Sequence, residues 1–200
     1  MTQRRQRFPG VARRLLHEAI LDATETLGGQ AGWDALRMAD VATAVGISRQ
    51  TLYTEFGSKP ALVRAVVLDR ANRLTASLTG VLAAADSDVH GAIRAAVRFL
   101  LDAARADPLV KCLVSGPDGD LLALVTTGSA PIIDGTTRAL TDYVTEVRPG
   151  TDARRVAVAA DAFTRLVISH VVLPDREIDD AADDVADVIG PYLMEVLSAT

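Results

Sequence analysis

Cysteine is nearly absent: Cys112 is the single one in 200 residues. No internal disulfide and no multi-cysteine zinc site can form, a reducing compartment is the simplest setting, and Cys112 reads as a small buried apolar residue. Aromatic residues are scarce at 4% while hydrophobic residues reach 49%. The apolar set is mostly Ala, Val and Leu with few β-forming stretches, which favours an all-α protein. The three histidines, His17, His90 and His170, lie far apart in sequence. There is no phosphate loop, no Gly-x-Ser-x-Gly elbow and no metal-ligand pair at i, i+4, so no metal site and no cofactor are expected. No apolar h-region follows Met1-Thr2-Gln3-Arg4-Arg5, which argues against a secretory signal and for the cytoplasm. The most apolar stretch, 156–173, is broken by Asp161 and Arg165. A membrane-spanning helix would hardly carry both at its centre, so the stretch reads as a buried helix and no membrane partner is expected.

What is present is an uneven charge. Residues 1–64 hold nine Lys/Arg and six acids, a net of +3, and the remainder carries −8 of the formal total of −5. A basic front on an acidic body suits a nucleic-acid-binding end attached to a non-binding body.

Apolar residues at 11, 15, 16, 19, 20, 23 and 27 recur at three- and four-residue steps and predict a helix over 11–27, ended by Gly28-Gly29. Trp33 reads as a core anchor. A second helix is expected from about Arg37 to Val45, closed by Gly46, and a third over 48–55, where Ser48 caps the start and Ile47 staples against Leu52. Ser58 caps a fourth, with Lys59-Pro60 in its first turn, running to about Thr79 as a connector to the rest of the chain. The body predicts further helices at 88–106, 108–115, 119–127, 131–147, 151–173 and 178–198, with breaks at Asp107-Pro108, Gly116-Pro117, Arg148-Pro149-Gly150 and Pro174.

The second and third segments are two short amphipathic helices joined by a turn containing Gly46, the spacing of a DNA-binding helix-turn-helix. Leu52 and Phe56 are four apart and pack inward. Arg49, Gln50, Thr51, Tyr53 and Thr54 then face outward, a set able to make base-edge, thymine-methyl and phosphate contacts. Val41-Ala42, Val45-Gly46-Ile47-Ser48, Thr51-Leu52-Tyr53, Phe56 and Ser58-Lys59-Pro60-Ala61-Leu62 resemble the N-terminal signature of the tetracycline-repressor (TetR) family over about residues 11–68. The resemblance implies an N-terminal three-helix DNA-binding domain over 1–64 and a larger helical ligand-binding and dimerisation domain over 65–200. It places Tyr53 and Lys59 on phosphates and Arg49, Gln50 and Thr51 nearest the bases, with Arg37, Ser48 and Thr54 completing the DNA-binding set. It further implies a homodimer packed through the helices at 151–173 and 178–198, and an effector that weakens DNA binding. Where many members carry Gly or a small residue this chain has Gln50, so the operator is not predicted.

In the body, Phe99, Leu100, Leu113, Leu124, Tyr143, Phe163, Val167 and His170 form the candidate ligand-binding set, with Tyr143 and His170 as polar handles. Ordinary core packing is the other reading of each. An apolar or amphipathic effector is expected. Asp179, Asp180, Asp183, Asp184 and Asp187 share a broad helical face but have no histidine beside them, so a solvated face is the better reading than a metal site. Asp118-Gly119-Asp120 lacks the rest of a calcium loop. Arg4, Arg5 and Arg7 read either as a solvated tail or as a basic arm toward DNA. The leading expectation is a dimeric, ligand-responsive DNA-binding repressor, with activation still open. The alternatives are a helix-turn-helix fold used only for protein interaction, and a helical enzyme.

Overall fold

The computed structural model describes residues 7–85, 88–115, 126 and 128–199. Leu124, Asp118-Gly119-Asp120, Arg4, Arg5 and the side chain of Arg7 lie outside the described residues, as does nearly all of the helix expected at 119–127. Among those described there are nine helices and no strand. The chain divides into two compact units, residues 1–67 and 68–200.

The first unit contains α1 (Arg7–Ala31), α2 (Met38–Val45), α3 (Arg49–Phe56) and the start of α4 (Lys59–Ala84). Its core is built from Ile20 and Leu21 of α1, Trp33 and Leu36 of the connection, Val41 and Ala42 of α2, Leu52 of α3 and Leu62, Val63 and Val66 of α4.

Two features of α1 differ from expectation. Gly28-Gly29 does not end the helix, which continues to Ala31. The reason lies in Trp33: a Cβ on Gly28 would come within 2.8 Å of the indole, so the missing side chain serves close packing of the ring on the helix. The buried face is also rotated. Val11 and Leu15 are 46% and 56% exposed and Ala19 is exposed too, while Leu21 and Thr24 are buried. Thr24 is accommodated because its hydroxyl donates to the Ile20 carbonyl at 2.6 Å, which satisfies the polar group inside the core.

Gly28→Ala sets two effects against each other. Helix propensity gains about 1 kcal/mol, while forcing a methyl against an indole that is 4% exposed costs about 1–3 kcal/mol. A net loss on the order of 1 kcal/mol is expected, read as a lower denaturant midpoint. A raised midpoint would show that the ring gives way.

The second unit holds the rest of α4 with α5 (Val89–Ala106), α6 (Pro108–Ser115), α7 (Ala130–Val147), α8 (Ala153–Val172) and α9 (Ile178–Ser198). α4 runs five residues beyond the expected end near Thr79. Asp88 caps α5 by accepting from the backbone N–H of His90 and Gly91 at 3.1 and 3.2 Å, and Asp152 caps α8 through Arg154 and Arg155 at 2.9 and 3.3 Å. α5 packs on α9, and α8 packs on α7, α9 and α5, around a core that includes Leu78, Val97, Leu140, Phe163 and Val185.

The residues that interrupt the apolar run of α8 form a pair: Arg165 Nε donates to Asp161 at 2.7 Å on the exposed side. One face of α8 is buried, not its whole circumference. Among the described residues no helix is long and apolar enough to cross a membrane.

The acidic face of α9 is not simply solvated. Arg94 and Arg98 of α5 bridge to Asp179, Arg94 also reaches Asp183, His90 contacts Asp187 at 2.9 Å, and Arg176 pairs with Asp184. The Asp183 carboxylate pushes the Arg94 guanidinium above its ordinary value by hydrogen bonding to it. These groups are largely exposed, so each pair contributes little alone; those of His90, Arg94 and Arg98 join α5 to α9. No group of three or more His, Cys, Asp or Glu among the described residues is arranged to hold a metal ion.

Candidate nucleic-acid interface and body cavities

The turn between α2 and α3 is fixed by the backbone. Gly46 adopts the left-handed conformation at φ 75°, ψ 30°, its N–H donates to the Thr43 carbonyl at 3.1 Å, and the Ile47 N–H donates to the Ala42 carbonyl at 2.9 Å. This pairing closes a helix with glycine just past its end, where a Cβ would be strained. α3 then starts at Ser48, whose Oγ accepts from the Thr51 N–H at 3.0 Å. At the far end Ser58 Oγ accepts from the Ala61 N–H at 3.3 Å and so caps α4.

α3 is held from beneath. Leu52 is 0% exposed, and Phe56, half-buried, stacks on His17 with ring centroids 4.9 Å apart. Glu55 accepts from Arg13 Nε at 3.2 Å and lies 3.6 Å from His17 Nδ1. Arg13, His17 and Glu55 thus tie α3 to α1. No motif pointed to them, because the partners are some forty positions apart in sequence.

The opposite side of α3 presents Arg49, Gln50, Thr51, Tyr53 and Thr54, all exposed. Their polar groups are not equally available. Ser48 Oγ and Thr51 Oγ1 are 2.8 Å apart and bonded to each other, and Thr54 Oγ1 donates to the Gln50 carbonyl at 2.8 Å. Arg49, Gln50 and Tyr53 have no side-chain hydrogen-bond partner among the described residues. Arg37 is exposed at the N-cap of α2 without a capping bond. Lys59 has an internal partner, since its ammonium donates to the Asp34 carbonyl at 2.9 Å and retains two further donors.

The ligand-binding set of the body does not converge. Tyr143 and Phe163 line one cavity of about 200 Å³, together with Leu82, Ile93, Val156 and Leu193, with Asp88 and Arg148 also in its lining. His170 belongs to a different recess of about 180 Å³. Leu100, Leu113 and Val167 are buried core residues and Phe99 is half-buried; none of these four lines either cavity. Leu78 and Leu82 of α4 also line the first cavity, a role that the connector position of α4 in the sequence does not signal.

The family model for bacterial regulatory proteins of the tetR family matches residues 20–66, and that for the bacterial tetracyclin repressor C-terminal domain matches residues 88–191. The HTH-type transcriptional regulator AlkX of Mycobacterium tuberculosis is 36% identical over 186 residues, covering 92% of this chain and 88% of the relative. Among solved structures, the TetR-family repressor AlkX of Dietzia sp., implicated in biodegradation of n-alkanes, aligns with a TM-score of 0.80 at 31% identity, over 90% of this chain and 96% of that one. RolR in complex with resorcinol shares the fold, with a TM-score of 0.65 at 16% identity over 94% of each chain. Matched in both halves, the chain belongs to the TetR family of bacterial transcriptional regulators, DNA-binding and effector-responsive proteins that work as dimers and are not enzymes.

Proposed function

We propose that this regulator is a cytoplasmic repressor that reads an operator with the outward face of α3 and releases it when a hydrocarbon-like effector fills the Tyr143–Phe163 cavity. The carrying observation is the division of α3 into a buried anchor, Leu52, and an exposed polar face whose Arg49, Gln50 and Tyr53 ends have no internal use. Arg49, Gln50 and Thr51 meet base edges, Thr54 offers its methyl to thymine, and Arg37, Tyr53 and Lys59 grip phosphates. Ser48 serves chiefly by fixing the start of the helix.

The homodimer forms through α8 and α9, which leave Val158, Val188 and Met194 exposed. Two reading heads then address half-sites about 34–36 Å apart. α4 carries the chain from one unit into the other, so a change in the body reaches the reading head through it. A coupling of about 1–3 kcal/mol suffices for effector-driven release. The cavity lining is dominated by Leu, Ile, Val, Ala and Phe side chains, which suit a hydrocarbon chain. The link of the Dietzia relative to n-alkane biodegradation supports an aliphatic compound.

The test begins by selecting bound sequences from a random duplex library, then adds decane, 1-decanol or decanoate to the complex. At least one should release the duplex from the native protein and none from Ala92→Leu, which adds bulk to the cavity lining. Release from that variant at unchanged effector concentration would move the site elsewhere, and no release by any of the three would refute the aliphatic class.

A further inference from the structure

The His170 recess has a different chemistry from the first cavity. Its floor is apolar, with Leu101, Val114, Val171, Ile178 and Ala181, of which Leu101 and Ala181 are buried. The remaining lining includes Arg105, Lys111, His170 and Arg176, and among the described residues no acidic one lines the recess. Arg176 is paired with Asp184. Arg105, Lys111 and His170 have no hydrogen-bond or ion-pair partner among the described residues. In the first cavity, by contrast, Arg148 is accompanied by Asp88. Arg105 and Lys111, placed beside an apolar recess with no described ion-pair partner, repel one another, although the half of the chain that holds them is otherwise strongly acidic. A bound anion with an apolar body would relieve that repulsion and cover the floor.

We propose that this recess, between α5, α6, the end of α8 and the start of α9, is a second small-molecule site that takes a compact organic carboxylate. An apolar cavity of roughly 150 Å³ accommodates benzene, so about 180 Å³ suits a six-carbon body whose carboxylate meets Arg105 and Lys111, with His170 donating a further hydrogen bond. The site needs no DNA and is separate from the aliphatic cavity, so it stands or falls independently of the operator-release reading.

The test is titration calorimetry of the full chain with hexanoate, hexanamide and hexylamine in low salt. Hexanoate is expected to bind once per chain, hexanamide at least tenfold more weakly, and hexylamine not measurably. Arg105→Glu with Lys111→Glu, both at exposed positions, should weaken hexanoate at least tenfold, and the milder Lys111→Gln alone about threefold. Ala92→Leu should leave hexanoate binding unchanged. Equal affinity for hexanoate and hexanamide, binding that survives the double charge reversal, loss of binding in Ala92→Leu, or no hexanoate binding at all would each overturn the proposal.

Discussion

Leu52→Ala is expected to abolish duplex binding without touching a single outward side chain. Leu52 is fully buried beneath α3, and its truncation removes transferable apolar surface and leaves a cavity, a combined cost of about 2–5 kcal/mol. Small domains have only about 5–15 kcal/mol to lose, so the first unit should unfold at a markedly lower denaturant concentration. Because α3 has just eight residues and cannot sustain itself without tertiary contacts, its exposed face would lose its order first. Affinity should fall for every duplex alike. A variant with native stability and native binding would show that α3 is positioned by something other than this core.

The second large effect concerns discrimination. Arg49→Ala or Gln50→Ala should relax the preference between operator and altered operator by about 1–3 kcal/mol at one base pair, while affinity for unrelated duplexes changes little. Tyr53→Phe is the useful contrast. It keeps the ring of a residue that is half exposed and removes one hydroxyl, so all duplexes should weaken together by about 0.5–1.5 kcal/mol. Competition titrations with matched and mismatched duplexes separate the two patterns. If Arg49→Ala lowered all affinities equally, Arg49 would be a phosphate contact instead of a base reader.

The outward set of α3 is legible in sequence because a capped helix of eight residues offers few ways to be rotated: Ser48 fixes where it starts, and Leu52 with Phe56 fixes which side is inside. α1 is less legible. Its apolar residues exceed what the unit can bury, and the face is settled by Trp33 lying on Gly28 and by Thr24 satisfying itself against the Ile20 carbonyl. Neither signal belongs to apolar periodicity. In the body, hydrophobicity cannot distinguish a lining residue from a core residue, which is why Leu113 and Val167 read like Tyr143 and Phe163. Arg94 and Arg98 find Asp179 and Asp183 across more than eighty positions, a pairing that only the packing of α5 on α9 reveals.

The residues that build the α2–α3 corner are almost wholly different from those that face outward. Gly46, Ser48 and Leu52 fix the frame through backbone, cap and core, while Arg49, Gln50 and Thr54 project from it as interchangeable tips. Such a division lets the recognised sequence drift, or be deliberately rewritten, by exchanging a few surface side chains with almost no thermodynamic penalty to the scaffold. A lineage carrying this corner could therefore acquire new target promoters faster than it could acquire a new architecture.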